Sequence, residues 1–278
     1  MRKDDALAVH LLAARAFADL AERLHEPPEP PSRQEHALLR ITHLIDRDPG
    51  GAWVTERDGE VAGAALAIDR DGLWGLSLLV VDPEHQSAGL GRELLERSLA
   101  YADGGRRGAV ILASPDARAL RAYARAGFAA HPCFHAQGRP RGVERPGDAR
   151  DGDARDAGLI ERVDLTVRGA AHGSDIDVLL RSDCRLLVIE DRGYVVIGGG
   201  SVRVLAALDV AAAADLLRGA LATVPAGAEI GVEWITALQG WAIGPVLDAG
   251  LSLTNDGAVF VRGEVGSFRP YLPSGAYL

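Results

Sequence analysis

The chain has 278 residues, 47% hydrophobic and 25% charged, the balance of a globular protein with room for one large domain or two ordinary ones. A net charge of −9, from 39 acidic against 30 basic residues, argues against nucleic acid as the main partner, because phosphate backbones are bound by clustered Lys and Arg. Cys133 and Cys184 sit in no zinc-spaced cluster, the N-terminus lacks a signal-peptide pattern, and no apolar run approaches the roughly 20 residues that span a bilayer. A cytoplasmic protein with no metal and no membrane contact is therefore expected.

Residues 5–25 carry Leu7, Leu11, Ala14, Phe17 and Leu20 at helical spacing. The Pro-rich run 26–31 must end that helix, and Ser32 is expected to cap a second one with His36–Ile45 as its body. From Gly51 the period becomes two. Ala52–Glu56 and Val61–Ile68 read as strands joined at Asp58-Gly59, and Asp71-Gly72 leads into Leu73–Val81. That third strand is apolar nearly throughout, so burial on both faces is expected. A helix over Gly91–Asp103, a strand over Ala109–Ala113, a helix over Arg118–Ala126 closed by Gly127, and a strand over Phe128–Ala136 follow.

Residues 139–158 are rich in Gly, Pro, Asp and Arg without apolar periodicity and read as a linker. Beyond them come a helix over 170–180, strands over Arg185–Glu190, Tyr194–Gly198 and Ser201–Leu208, and an Ala/Leu helix capped by Asp209. A strand over Ala228–Ile235, a helix over Leu238–Ala249 and a strand or hairpin over Leu251–Arg262 complete the chain. The same order occurs twice, which is an internal repeat. The expected fold class is α/β (α+β), a mixed, mostly antiparallel sheet flanked by helices, with domains at 1–138 and 159–278.

The stretch most suggestive of chemistry runs from Val80 to Arg92. A buried strand ends and a glycine-containing loop opens a helix, which exposes backbone N–H groups at the positive end of the helix dipole. A pyrophosphate fits there. The loop lacks the G-K-[ST] of a P-loop and the third glycine of a dinucleotide fold. Read alone, it could equally be a plain strand-to-helix connection, and Tyr123 a packed helix aromatic.

Gln86-x-x-Gly89-x-Gly91, followed about 30 residues later by Ala119-x-x-x-Tyr123-x-x-x-Gly127-Phe128, resembles the GCN5-related N-acetyltransferase family over roughly residues 5–136. Two departures stand out. The family's first strand is missing or cut to Met1–Lys3, and Asp116 stands where Asn is common. The resemblance implies acetyl-CoA as substrate, with Leu79, Val80 and Val81 offering strand-edge groups to the pantetheine amides. It implies that Gln86, Ser87, Ala88, Gly89, Leu90, Gly91 and Arg92 bind the pyrophosphate end, and that Tyr123 faces the thioester sulfur. A phenol near 10 is a weaker acid than a thiol near 8.5, so full proton donation is uphill by roughly 2 kcal/mol, and a hydrogen bond to the departing thiolate is the expected role.

The general base is open among Glu56, Glu84, His85, His131, His135 and a water chain. His131, Cys133 and His135 alternate along one strand, a sheet face rather than a metal site. In the second repeat, Leu94-Leu95 align with Leu216-Leu217 and the glycine loop falls on Asp209–Ala214, which has no glycine; Tyr123 falls on Val246. That copy is expected to be degenerate and to stabilise the first, wall off an acceptor pocket or mediate dimerisation. Trp234, Trp241 and Phe260 read as its core, and the apolar tail 269–278 is expected to dock. The expected activity is transfer of acetyl to a small-molecule or peptide amine by direct attack. The rival is a non-catalytic CoA-binding sensor or scaffold.

Overall fold

The computed structural model describes residues 1–26, 33–101 and 107–278. It divides into two compact units, Met1–Arg106 and Arg107–Leu278.

The first unit holds helices α1 (Ala6–Leu24) and α2 (Gln34–Arg47), strands β1 (Ala52–Arg57), β2 (Glu60–Arg70) and β3 (Leu73–Val81), and helix α3 (Leu90–Ala100). The three strands form an antiparallel meander. Its turns are the two Asp-Gly pairs, all four residues at positive φ (53° and 83°, 52° and 77°), the geometry whose twist matches that of the strands. β3 is buried along most of its length, as expected for an apolar strand. Trp74 is fully buried, and its indole N–H donates to the Ser98 carbonyl at 2.8 Å, which fixes α3 against the sheet. Asp48 and Arg70, also buried, pair at 2.9 Å, and Tyr101 donates to the same carboxylate.

Helix α1 differs from a simple reading of its periodicity. The buried face is Ala6, Val9, Leu12 and Ala16, while Leu7, Leu11 and Phe17 point outward, each about half exposed. The expected Ser32 cap and the end of the third helix near Asp103 lie outside the described residues. The segment before α1 forms one 3-10 turn, Lys3–Asp5, and no strand.

The second unit contains β4 (Gly108–Ala113), α4 (Ala117–Arg125), β5 (Ala129–Gly138), β6 (Ala149–Asp151), α5 (Ala157–Val167), α6 (Ser174–Arg181), β7 (Arg185–Ile189), β8 (Gly193–Gly198) and β9 (Ser201–Ala207). It continues with α7 (Val210–Ala222), β10 (Ile230–Ile235), α8 (Ile243–Asp248), β11 (Ser252–Gly263) and β12 (Tyr271–Leu272). Its strands run in the order β4-β11-β5-β10-β9-β8-β7-β6, with β12 pairing β9. All pairings are antiparallel except β9 with β10.

This order explains why compactness divides the chain after Arg106 and not at the expected linker. β11, the last long strand of the second repeat, inserts between β4 and β5, the last strands of the first. Hydrogen bonding therefore assigns residues 107–138 to the same body as the second repeat. The expected linker is not free chain either: Ala149–Asp151 pairs with β7, and Arg145 holds the Ala149 carbonyl at 2.9 Å. Helix α5, which the composition of the preceding stretch conceals, begins at Ala157, immediately after a turn capped by Asp153. Opposite Cys133, β11 carries two residues, Asp256 and Gly257. Gly257 has φ 51°, and a Cβ there would lie 1.9 Å from the Ala113 carbonyl oxygen, so only glycine fits.

Candidate functional site

In the first unit, β3 reaches the loop through a bulge: Leu66 pairs Leu78 and Ala67 pairs Leu76, which leaves Ser77 without a partner on β2. Leu79, Val80 and Val81 follow, with one strand edge bonded to Ala65, Ala64 and Gly63. Asp82 then accepts from the Glu84 N–H at 3.0 Å and from Arg15 of α1 at 2.8 Å, so the loop's first corner is tied to α1. The Arg15 hydrogen bond holds the Asp82 carboxyl below its usual range, against a smaller opposing effect of burial. Gln86 folds back and donates to the Val81 carbonyl at 3.1 Å, so its amide braces the loop from beneath.

Ser87 and Gly89 both take positive φ, 67° and 87°. Gly89 begins α3, and no side chain caps that helix. The first-turn N–H groups of a helix have no intrahelical acceptor, so Leu90, Gly91 and Arg92 present donors at the positive end of the dipole. Ser87, Ala88 and Gly89 are exposed. A Cβ at Gly89 would meet nothing within 4 Å, and one at Gly91 would touch only Val81 Cγ2 at 3.5 Å, an ordinary contact. The protein's own packing does not require Gly91 to be glycine. The bare backbone instead leaves room above the helix end, which suits a phosphate group.

Tyr123 lies on α4 in the second unit. Its ring is buried and meets Phe260 edge-on with centroids 5.5 Å apart. Burial, reinforced by the charge of Asp116, pushes its phenol well above 10. That phenol stays protonated at any working pH and can act as a hydrogen-bond donor. Asp116, where Asn was the commoner choice, caps α4 by accepting from the Arg118 N–H at 2.7 Å.

The base candidates occupy varied settings. Glu56 and Glu84 are exposed, and His85 is half-buried with an unpartnered Nδ1. On β5, His131 is exposed, His135 half-buried and Cys133 buried, its thiol donating to the Asp256 carbonyl. Burial raises that thiol to about 12. Among the described residues, no group of three or more His, Cys, Asp or Glu could hold a metal ion, and no helix is long and apolar enough to cross a membrane.

The second repeat shows the corresponding positions altered. Helix α7 follows β9 as α3 follows β3, but Asp209 caps it, accepting from the Ala212 N–H at 2.9 Å. Arg192 holds the same carboxylate through two nitrogens, at 2.8 and 3.0 Å, which lowers its pKa. The helix end therefore already carries an anion. β9 and β10 are registered only at Ser201 and Gly231, after which β9 pairs with β12 through Leu205–Leu272 and Ala206–Tyr271.

The tail is docked as expected, but through a buried polar network that the sequence did not announce. Tyr271 donates to the Leu278 carbonyl at 2.6 Å, His172 contacts the same oxygen at 3.2 Å, and Arg168 donates to the Tyr277 carbonyl at 3.1 Å. Asp164 anchors His172 at 2.8 Å and accepts from Tyr194 at 2.5 Å. These groups are scattered in sequence and fit no motif, which is why sequence reasoning passed over them.

Residues 16–128 match the model of the Acetyltransferase (GNAT) family. Among solved structures, a candidate acetyltransferase from Pyrococcus horikoshii superposes with a TM-score of 0.79 at 15% identity, over 100% of this chain and 94% of that one. A GCN5-related N-acetyltransferase from Sphaerobacter thermophilus gives 0.61 at 15% identity, covering 97% and 96%. A tandem GNAT protein from the clavulanic acid biosynthesis pathway gives 0.58 at 14%, covering 95% and 97%. At these identities the likeness is one of fold. No curated protein matches the sequence.

Proposed function

We propose, from the match of residues 16–128 to the acetyltransferase (GNAT) family model, that this chain transfers acetyl from acetyl-CoA to an amine, and that the first repeat does the chemistry. The observation that carries this reading is the contrast between two helix starts. The N-terminus of α3 is uncapped and glycine-lined, whereas that of α7 carries the Asp209 carboxylate. An anionic pyrophosphate is attracted to the first, whereas at the second the Asp209 carboxylate already takes up helix N–H donors. The tail strengthens the contrast, because β12 takes the β9 edge that would correspond to the pantetheine-binding edge of β3.

In this reading Leu79–Val81 hold the pantetheine amides by strand-like hydrogen bonds, and Gln86–Arg92 hold the pyrophosphate. The thioester is already activated, so the amine attacks the carbonyl carbon directly, the C–S bond breaks to release the CoA thiolate without an acyl-enzyme, and the proton lost by the amine passes to solvent water. Tyr123, by resemblance, donates a hydrogen bond to the departing thiolate; its buried, protonated phenol supports donation rather than proton loss. Acceptors are small-molecule or peptide amines, and location in the cytoplasm and self-association into a dimer belong to the same proposal.

The test is incubation of the full chain with acetyl-CoA and a panel of amines, reading acetylated product by mass and free CoA by thiol titration. Product formation that depends on the protein supports the reading. Tight acetyl-CoA binding without product from any amine class would turn it into a CoA sensor instead.

A further inference from the structure

The loop that carries the proposed phosphate contacts is joined to α1 through a residue outside both sequence motifs, and the role argued for that residue rests on the acetyl-CoA reading above. Arg15 stands beside the buried Ala16 on α1, a helix packed inward through Ala6, Val9, Leu12 and Ala16. Its guanidinium reaches Asp82 Oδ2, 67 residues later in the chain, at 2.8 Å. The other carboxylate oxygen, Oδ1, accepts from the Glu84 N–H at 3.0 Å. One carboxylate therefore ties a packed helix to the backbone of the loop. The Asp82 main chain is fixed as well. Its N–H donates to the Ala62 carbonyl of β2, and its carbonyl accepts from the His85 N–H, both at 2.9 Å.

This corner holds a loop with little support at its tip. Ser87, Ala88 and Gly89 are exposed, and Ser87 takes φ 67°, a conformation that a residue with a Cβ seldom adopts. The tip is suspended between the Asp82 corner, with Gln86 bonded to the Val81 carbonyl beneath it, and the start of α3. A loop that its ligand must first put in order binds more weakly than one already in shape.

Charge gives Arg15 a second effect. Residues 82–92 carry Asp82 and Glu84 against Arg92, and Arg92 lies 3.7 Å from Glu96. The whole chain has a net charge of −9. Both features oppose the approach of an anionic pyrophosphate. Arg15 cancels the Asp82 charge at the base of the loop.

We infer that Arg15 is a positioning residue for acetyl-CoA, holding the Asp82–Gly89 loop in its phosphate-receiving shape through Asp82 and neutralising that carboxylate. It acts on the cofactor through Asp82 and touches none of the reacting atoms.

Arg15→Met keeps the unbranched stem and removes the charge, and Arg15→Lys restores the charge. Acetyl-CoA is titrated calorimetrically into the full chain as wild type, Arg15→Met, Arg15→Lys, Asp82→Ala and the double variant of Arg15→Met with Asp82→Ala, each with its melting midpoint. At low salt, Arg15→Met should weaken acetyl-CoA by about three- to tenfold at a melting midpoint close to wild type, and Arg15→Lys should recover part of that loss. In the Asp82→Ala background, Arg15→Met should add less than about twofold, because the interaction it removes is already gone. At about 1 M salt the affinities of wild type and Arg15→Met should converge, since a half-exposed ion pair is screened, whereas a loss of packing would persist. With an amine substrate, the loss should fall in KM for acetyl-CoA and leave kcat and the KM of the amine unchanged. Without any ligand, the Glu84 and His85 amides should exchange hydrogen faster in Arg15→Met. Should that variant not fold, Arg15→Gln takes its place with the same expectations.

Equal acetyl-CoA affinity in wild type and the folded charge-free variant would overturn the inference. A loss of the same size in the Asp82→Ala background would overturn it too, by placing Arg15 on the cofactor directly. An absence of acetyl-CoA binding by the folded wild type is a separate result, seen before any substitution, and would overturn the acetyl-transfer reading together with the role of Arg15 in it.

Discussion

Gly91→Glu separates the binding role of the loop from its structural role, because the two should move in opposite directions. Gly91 is the second residue of α3 and has no positive φ. Its added Cβ would meet only Val81 Cγ2 at 3.5 Å, so the fold accepts a side chain there. Replacing glycine within a helix gains about 0.5–1 kcal/mol, and a carboxylate in the first turn gains roughly another 0.3–1 kcal/mol from the dipole. At about 2–4 °C per kcal/mol for a chain of this size, the melting midpoint should rise by roughly 2–8 °C. The same carboxylate would stand near the proposed pyrophosphate. One like-charge pair at about 6 Å and an effective dielectric near 20 costs about 3 kcal/mol, which is a loss of roughly 100-fold in acetyl-CoA affinity. Differential scanning calorimetry and isothermal titration on the same sample read both quantities. A variant that is stabilised yet binds acetyl-CoA as well as wild type would refute the phosphate assignment, since nothing structural could be blamed.

Other expectations follow from individual groups. Tyr123→Phe should keep its packing on Phe260 and its acetyl-CoA affinity, and lower the acetylation rate about 100-fold if it supports the departing thiolate; an unchanged rate would confine Tyr123 to the core. Asp164 is buried, which opposes its ionisation, yet His172 and Tyr194 hold its pKa below 3.8. Its contribution is therefore complete above pH 3.8 and is lost as pH falls through the lower folded value, so acid titration by circular dichroism should unfold the wild type in that range. Asp164→Ala should already cost more than about 3 kcal/mol at neutral pH, by orphaning buried donors of His172 and Tyr194. Burial raises both thiols, Cys133 to about 12, so iodoacetamide at pH 7.5 should label neither in the folded protein, and rapid labelling of Cys133 would contradict its setting.

Local chemistry made much of the fold legible. The Asp-Gly pairs gave both hairpins because their residues tolerate positive φ, and the change from period 3.6 to period 2 marked where strands begin. The strand–glycine–helix passage from Val80 to Arg92 was visible because it depends on consecutive residues. Long-range pairing was not visible in this way. That β11 enters between β4 and β5 depends on strands more than 100 residues apart, and no local signal encodes it. Helix α1 misled because its larger apolar residues, Leu7, Leu11 and Phe17, face outward while smaller Ala and Val fill the tight space beneath. The network around His172 was hidden for the same reason as β11: its members meet only in the folded chain.

The most direct test of the central claim is the stoichiometry of acetyl-CoA binding to the full chain by isothermal titration, with Gly89→Trp as the control. Of the two corresponding helix starts, that of α3 is uncapped and glycine-lined and that of α7 carries Asp209, so one molecule per chain is predicted, with binding lost in the folded Gly89→Trp protein. Two molecules per chain, or binding that survives Gly89→Trp, would contradict the assignment of the cofactor to the first repeat.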